Sequence, residues 1–237
     1  GGDKQRLSVL DYFVRLFKPD DANQHAFGKI DGGWGKVLSC LDSEDVRVKS
    51  NALIVLGRLM SNNEANQQAL GQIEGVWEKV LSCLKSKDVR VKGNALAVLC
   101  DLMSNNEANQ EALGQKEGVW EKVLRCLDYE DVRVKGNALA VLNCLILNNE
   151  AKQEALGQKE GVWGMVLSCL DHEDVRVKRN ALAVLNCLIS NNESNQLALG
   201  QINGCIGKLE SCLDSGDDVV KELAVKLMGY CSVSQRV

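Results

Sequence analysis

Proline occurs once in the 237 residues, and phenylalanine, tryptophan and tryptophan-like bulk are scarce, with all aromatic residues together at 4%. Sandwiches and barrels rely on aromatic and β-branched strands broken by Gly/Pro turns, so this composition argues against them and against Pro-rich linkers. Basic charge is not in excess: 28 Lys and Arg face 32 Asp and Glu, a net charge of -4. That balance lacks the basic footprint of a nucleic-acid binder and the polybasic patch of a membrane-surface protein. No apolar run approaches the roughly 18 residues of a transmembrane helix. The opening Gly1-Gly2-Asp3-Lys4-Gln5-Arg6 has no apolar signal-peptide core, and its glycines read as a remnant of expression. Histidine is nearly missing, with only His25 and His172.

Ten cysteines are present, and their spacing argues against metal binding and disulfides alike. Cys40, Cys83, Cys126, Cys169 and Cys212 recur every 43 residues, and Cys144 and Cys187 share the interval. There is no CxxC, so the paired-ligand spacing of a zinc site is absent. Cysteine used this way behaves as a small hydrophobe, and its abundance points to a reducing compartment, cytosol or nucleus.

The interval is the organising fact. The segment from Gly71, GQIEGVWEKVLSCLKSKDVRVKGNALAVLCDLMSNNEANQEAL, returns from Gly114 with 33 of 43 positions identical. It returns again from Gly157 and more loosely from Gly200, with Trp34, Trp77, Trp120 and Trp163 in one register. The expected organisation is a partial unit at 1–27, repeats at 28–70, 71–113, 114–156 and 157–199, and a divergent capping repeat at 200–237, all in one continuous domain. The last repeat places Lys208, Glu210, Lys221, Glu222 and Lys226 among its helices, as a cap requires. Asp20-Asp21-Ala22-Asn23-Gln24 parallels Asn63-Glu64-Ala65-Asn66-Gln67, which makes Asp3–Phe17 the third helix of an earlier unit. The chain then reads as a natural C-terminus with an N-terminus cut mid-unit.

Each unit predicts three helices. Asn62-Asn63-Glu64 opens the first, with Asn as N-cap and Glu favourable to the helix dipole, and it runs to about Gln72. Gly75 breaks it. The second carries Trp77, Val80, Leu81 and Leu84 at helical spacing. After a polar turn at Lys85-Ser86-Lys87, Asp88 caps a third helix over Val89–Met103 with Val91, Ala95, Val98, Leu99 and Leu102 on its apolar stripe. No unit buries these faces alone, so stacking neighbours must supply the core. The tryptophans belong to that core, where replacing Trp120 by alanine is expected to cost roughly 3–5 kcal/mol. The column Lys49, Lys92, Lys135, Lys178 and Lys221 reads as a solvated face, and His172 as surface decoration in a turn.

The Asn/Gln-rich first helix, the Gly before an apolar second helix, the Asp-Val turn and the Ala/Leu-rich third helix together resemble the armadillo consensus over almost the whole chain. The Asp-Val-Arg-Val-Lys start of the third helix is also similar to HEAT repeats. The resemblance implies an all-α, right-handed α-solenoid of armadillo/HEAT-like three-helix repeats with period 43. It further implies a scaffold that binds an extended peptide or partner protein in a concave groove lined by third helices, with no catalysis and no cofactor. Armadillo grooves often carry a Trp and, four residues on, an Asn. The matching positions here are Ile54, Ala97, Ala140, Ala183 and Lys226, then Arg58, Asp101, Cys144, Cys187 and Tyr230, so neither residue type is kept.

Candidate groove residues follow from the third-helix face: Arg47, Arg90, Arg133 and Arg176; Asn51, Asn94, Asn137 and Asn180; and the variable Arg58 and Asp101. Asn offers a donor and an acceptor to a peptide backbone, and Arg a planar fork to carboxylates. A structural reading stands beside this one. The arginines lie next to Asp45, Asp88, Asp131 and Asp174 and can pair with them at helix starts, and the asparagines can bond a neighbouring loop. Asn62-Asn63 and its copies suit turns and caps, and Gln67, Gln110, Gln153 and Gln196 suit repeat geometry. No phosphate loop, nucleophile elbow or paired-His motif occurs. Alternatives are a designed or purely structural array, motivated by the near-identity of the middle units, and a nucleic-acid-acting HEAT-like protein. The expected partner is a protein or peptide rather than nucleic acid, membrane or small molecule.

Overall fold

Asparagine at a left-handed φ recurs through the chain at Asn62, Asn105, Asn148 and Asn191, with φ of 54, 52, 54 and 55°. It is among the few side chains tolerated there, because its short amide bonds the local backbone. The next residue then caps a helix: Asn63, Asn106, Asn149 and Asn192 accept from the backbone N–H three residues on. The five positive-φ glycines, Gly32, Gly75, Gly118, Gly161 and Gly204, mark the start of each second helix. Asp45, Asp88, Asp131 and Asp174 cap the third helices through bonds to the N–H two residues on, as their sequence position requires. These three punctuation marks divide each unit as the sequence predicts.

The computed structural model describes residues 2–17 and 22–234, the last three by backbone only. Asp20 and Asp21, part of the predicted N-terminal parallel, lie outside the described residues. Two compact units divide at Lys122 and Val123. The first holds α1 (Gly2–Leu16), α2 (Ala22–Gly28), α3 (Gly33–Ser39), α4 (Val46–Met60), α5 (Glu64–Gly71), α6 (Val76–Cys83), α7 (Val89–Met103) and α8 (Glu107–Gly114). Helix α9 (Val119–Leu124) carries the division. The second unit continues with α10 (Val132–Ile146), α11 (Glu150–Gly157), α12 (Val162–Ser168), α13 (Val175–Ile189), α14 (Glu193–Gly200), α15 (Cys205–Ser211) and α16 (Asp218–Ser234). Most second helices tighten into a 3-10 turn at their end, as at Cys40–Asp42 and Cys169–Asp171. No strand occurs among the described residues.

Third helices pack side by side: α4 against α1 and α7 in the first unit, and α13 against α10 and α16 in the second. Their apolar stripe is sealed. Val91, Ala95, Leu99 and Leu102 have no exposed surface, and neither do Val134, Ala138 and Leu142. First helices stack through a contact that the repeat pattern alone does not announce. The Asn109 amide donates to Leu102 O at 2.7 Å and to Gln67 O at 3.1 Å, and Asn66 and Asn195 repeat the pattern. Each of these amides lies over a helix-ending glycine. A Cβ on Gly28, Gly71 or Gly157 would collide with the Asn66, Asn109 or Asn195 side chain.

Three expectations need correction. The tryptophans do not share one environment: Trp34 and Trp77 are 7% and 4% exposed, whereas Trp120 and Trp163 are half-buried, the latter donating to Gly157 O at 2.9 Å. The lysine column is not uniformly a solvated face. Lys92 is 4% exposed and its ammonium donates to Leu84 O, at the end of the second helix. A long stem buried along apolar surface with its charge on a helix C-terminus explains this. His172 is a turn-forming residue: its Nδ1 accepts from Asp174 N at 2.9 Å, the bond made elsewhere by the Ser43 and Ser86 hydroxyls. Among the described residues, which include all ten cysteines, no disulfide forms and no metal-ligand cluster gathers.

Candidate functional site

The arginine column opens the third helices, where each guanidinium folds back on the aspartate that caps the same helix. Arg47, Arg90 and Arg176 meet Asp45, Asp88 and Asp174 at 2.8, 2.8 and 3.1 Å. The Arg47 fork holds the Asp45 carboxyl down to about 2, with the helix N–H assisting, and Asp88 and Asp174 shift the same way for the same first cause. Each pair is close to neutral, yet the guanidinium side chains stay 60–68% exposed. Arg133 is exposed at the same position, beside Asp131, whose carboxylate accepts its backbone N–H at 3.0 Å.

The asparagine column turns toward neighbouring helices. Asn94, 5% exposed, donates to Ser50 Oγ at 3.0 Å on the preceding third helix. Asn180 donates to Gly136 O at 2.9 Å, and Asn51 to Asp11 Oδ1 at 2.6 Å. Small residues at Ser50 and Gly136 let the amide reach that far. The structure therefore commits Asn94, Asn180 and Asn51 to a neighbouring third helix, whereas the sequence offered a loop. Asn137 is half-buried at the same register.

The variable pair diverges. Arg58 crosses to α1 and donates to Val14 O and to Phe17 O, the latter at 3.3 Å, which satisfies carbonyls at that helix's end. Asp101 does the opposite. Burial pushes its carboxyl up to about 6, and no compensating cation enters among the causes. Its Oδ2 lies over α4, 3.2 Å from where a Cβ on Gly57 would sit. It also lines a polar cavity of about 340 Å³ with Ser61, Asn62, Asn63, Glu64, Gln67, Ser104 and Asn105.

Two of these side chains, Asn63 and Gln67, are 3% and 5% exposed. Each has one arm employed: Asn63 Oδ1 caps α5, and Gln67 Nε2 reaches Met60 O at 3.3 Å. Their other arms, Asn63 Nδ2 and Gln67 Oε1, have no hydrogen-bond partner among the described residues. A half-buried, desolvated carboxylate and two unsatisfied buried amide atoms thus face one cavity in the first unit. The sequence marked Asp101 only as variable. The cavity itself joins residues about 40 apart in sequence, so nothing local could show it. At the same register in the second unit stands Cys187, contacted by the Gln153 amide at 3.9 Å.

No protein-family model matches the chain, and no curated protein matches it in sequence. Solved structures do. A designed armadillo repeat protein superposes with a TM-score of 0.82 at 20% identity over 95% of this chain and 92% of its own. A computationally designed armadillo repeat protein for modular peptide recognition gives 0.83 at 19%, over 95% and 97%. Another, solved in complex with the peptide (KR)4, gives 0.81 at 18%, over 96% and 97%. The chain has the armadillo repeat fold, an all-α solenoid of helical repeats.

Proposed function

We propose that the chain is a protein-interaction scaffold that holds an extended segment of a partner against its third helices. The observation that carries the reading is Asp101, a desolvated carboxylate facing a polar cavity at the register where otherwise similar repeats differ. A positively charged side chain entering that cavity would supply the missing counter-ion and hydrogen-bond partners together. In the first unit the exposed outer edges of Arg47 and Arg90 are the second part of the surface, able to take carboxylates or backbone carbonyls of the same partner, and Arg133 and Arg176 offer the same edges in the second unit. Asn51, Asn94 and Asn180 act one step back, fixing the helices that carry these groups, and Asn137 shares their register. One similar fold described as designed for modular peptide recognition, and another solved in complex with the peptide (KR)4, support a peptide as the occupant. A reducing compartment and a non-catalytic role belong to the same proposal.

The test is a titration of the full chain with a fluorescent Lys/Arg-repeat peptide at pH 7.5, alongside Asp101→Asn and Asn94→Ala. Saturable binding weakened roughly tenfold or more by Asp101→Asn, with helicity unchanged, supports the reading; tenfold corresponds to the ~1.4 kcal/mol of one charged contact. Equal binding by wild type and Asp101→Asn moves the site away from the cavity. No binding of this peptide removes the cationic occupant.

A further inference from the structure

Three of the ten cysteines, Cys100, Cys205 and Cys231, stand outside the 43-residue registers described above, and the last two meet. Cys205 opens α15 and Cys231 lies late in α16, with their sulfurs 3.7 Å apart and both side chains buried, at 2% and 1% exposure. The corresponding pair in the three preceding repeats is Val76 with Leu102, Val119 with Leu145, and Val162 with Leu188. The last repeat has thus exchanged both members of an apolar pair for cysteine at the point where its second and third helices touch. Cys40, Cys83, Cys169 and Cys212 instead bond a carbonyl of the second helix they follow, as Cys169 to Met165 O at 3.3 Å and Cys212 to Lys208 O at 3.5 Å. Burial pushes the Cys169 thiol up to about 11, which keeps it protonated and unreactive.

We infer that Cys205 and Cys231 form a reversible disulfide under peroxide, a modification site that staples α15 to α16. The sulfurs need to close by less than 2 Å to reach bonding distance, about the travel of a side-chain rotation. The reaction balances with hydrogen peroxide as the oxidant. The Cys231 thiolate attacks one peroxide oxygen, the O–O bond breaks and hydroxide leaves, giving a sulfenic acid. The Cys205 sulfur then attacks the Cys231 sulfur, the S–O bond breaks, and the departing hydroxide takes the Cys205 proton. Two thiols are oxidised by two electrons and the peroxide becomes two waters. The two sulfurs share one proton, which either can donate, and Cys231 is assigned as the sulfur that reacts first. Helix α16 leaves Val219 and Val225 46% and 59% exposed, and a local opening at this face admits the peroxide.

The experiment treats the reduced full chain with hydrogen peroxide, blocks remaining thiols by alkylation, and maps peptides without reduction. The expected result is a fall from ten titratable thiols to eight, one linked peptide pair containing Cys205 and Cys231, and a melting temperature a few degrees higher that returns with dithiothreitol. Cys205→Val/Cys231→Leu restores the side chains of the other repeats and therefore keeps the packing. It should retain all eight of its thiols at the same dose, with no shift in melting. Cys205→Val alone should leave a dimedone-reactive sulfenic acid at Cys231. Linkage through other cysteines, unlinked sulfinic acid at Cys231 in the wild type, or equal thiol loss in the double variant would each overturn the assignment.

Discussion

Asp101 and Lys92 show how a single residue acquires a meaning the repeat does not give it. Asp101 carries a stability penalty with a definite pH signature. Its carboxyl titrates near 6 in the folded chain, above the roughly 3.9 of an exposed aspartate, so the native state binds the extra proton between these values. Its own contribution to stability is fully present below about pH 4, is lost as pH rises through 6, and leaves the fold lower by roughly 2–3 kcal/mol above it. Asp101→Asn should therefore be the more stable protein at pH 7.5 and should flatten this segment of the pH profile, read by urea unfolding at pH 4, 6 and 7.5. Affinity for a basic peptide should follow the opposite course and strengthen as pH rises through about 6. A variant that gains stability while losing affinity separates a binding carboxylate from a packing one. Lys92 behaves in the reverse way: Lys92→Ala removes a buried stem and a charge-assisted bond to Leu84 O, and should cost about 2 kcal/mol.

At the scale of elements, the helices owe their ends to local chemistry and their positions to contacts one repeat away. Replacing Asn63 by alanine removes the cap of α5 and should destabilise by about 1 kcal/mol in denaturant unfolding. Gly71→Ala strikes the other kind of contact. The new methyl has no room against Asn109, so α5 and α8 must separate, and a loss of about 1–3 kcal/mol is expected despite alanine's better helix propensity. A measured gain in stability would show that the Asn109 amide can relocate. The tryptophans differ for the same reason. Trp77→Ala should cost roughly 3–5 kcal/mol, the amount the sequence led us to expect at Trp120, whereas half-buried Trp120 should cost about half as much.

For the molecule as a whole, near-identical repeats repeat their structural solutions and reserve individuality for a few places. The capping aspartates, the left-handed asparagines and the third-helix stripes recur with little change. The exceptions are the register of Arg58, Asp101 and Cys187, and the pair Cys205 and Cys231. The charge of the chain points the same way. The chain carries a net charge of -4, and Arg47, Arg90 and Arg176 are each paired with a capping aspartate. A gel-shift titration with duplex DNA at about 50 mM salt should give no complex, and a shift that weakens steeply with salt would revive the nucleic-acid reading.

Periodicity, caps and turn residues were enough to place helix classes and boundaries, because those depend on bonds spanning two to four residues: α7 was expected over Val89–Met103 and begins and ends there. The reading of the arginines as partners of the capping aspartates was likewise available, since the pairs are two residues apart. What lay beyond the sequence were relations between residues 26 to 44 positions apart. The Asn94 bond to Ser50, the seat of Asn109 on Gly71, the cavity around Asp101 and the meeting of Cys205 with Cys231 all depend on how far one helix slides past the next. A repeat pattern fixes which face a side chain joins but not that offset, and only the packed structure decides whether the side chain ends on a carbonyl, in a cavity or against its own kind.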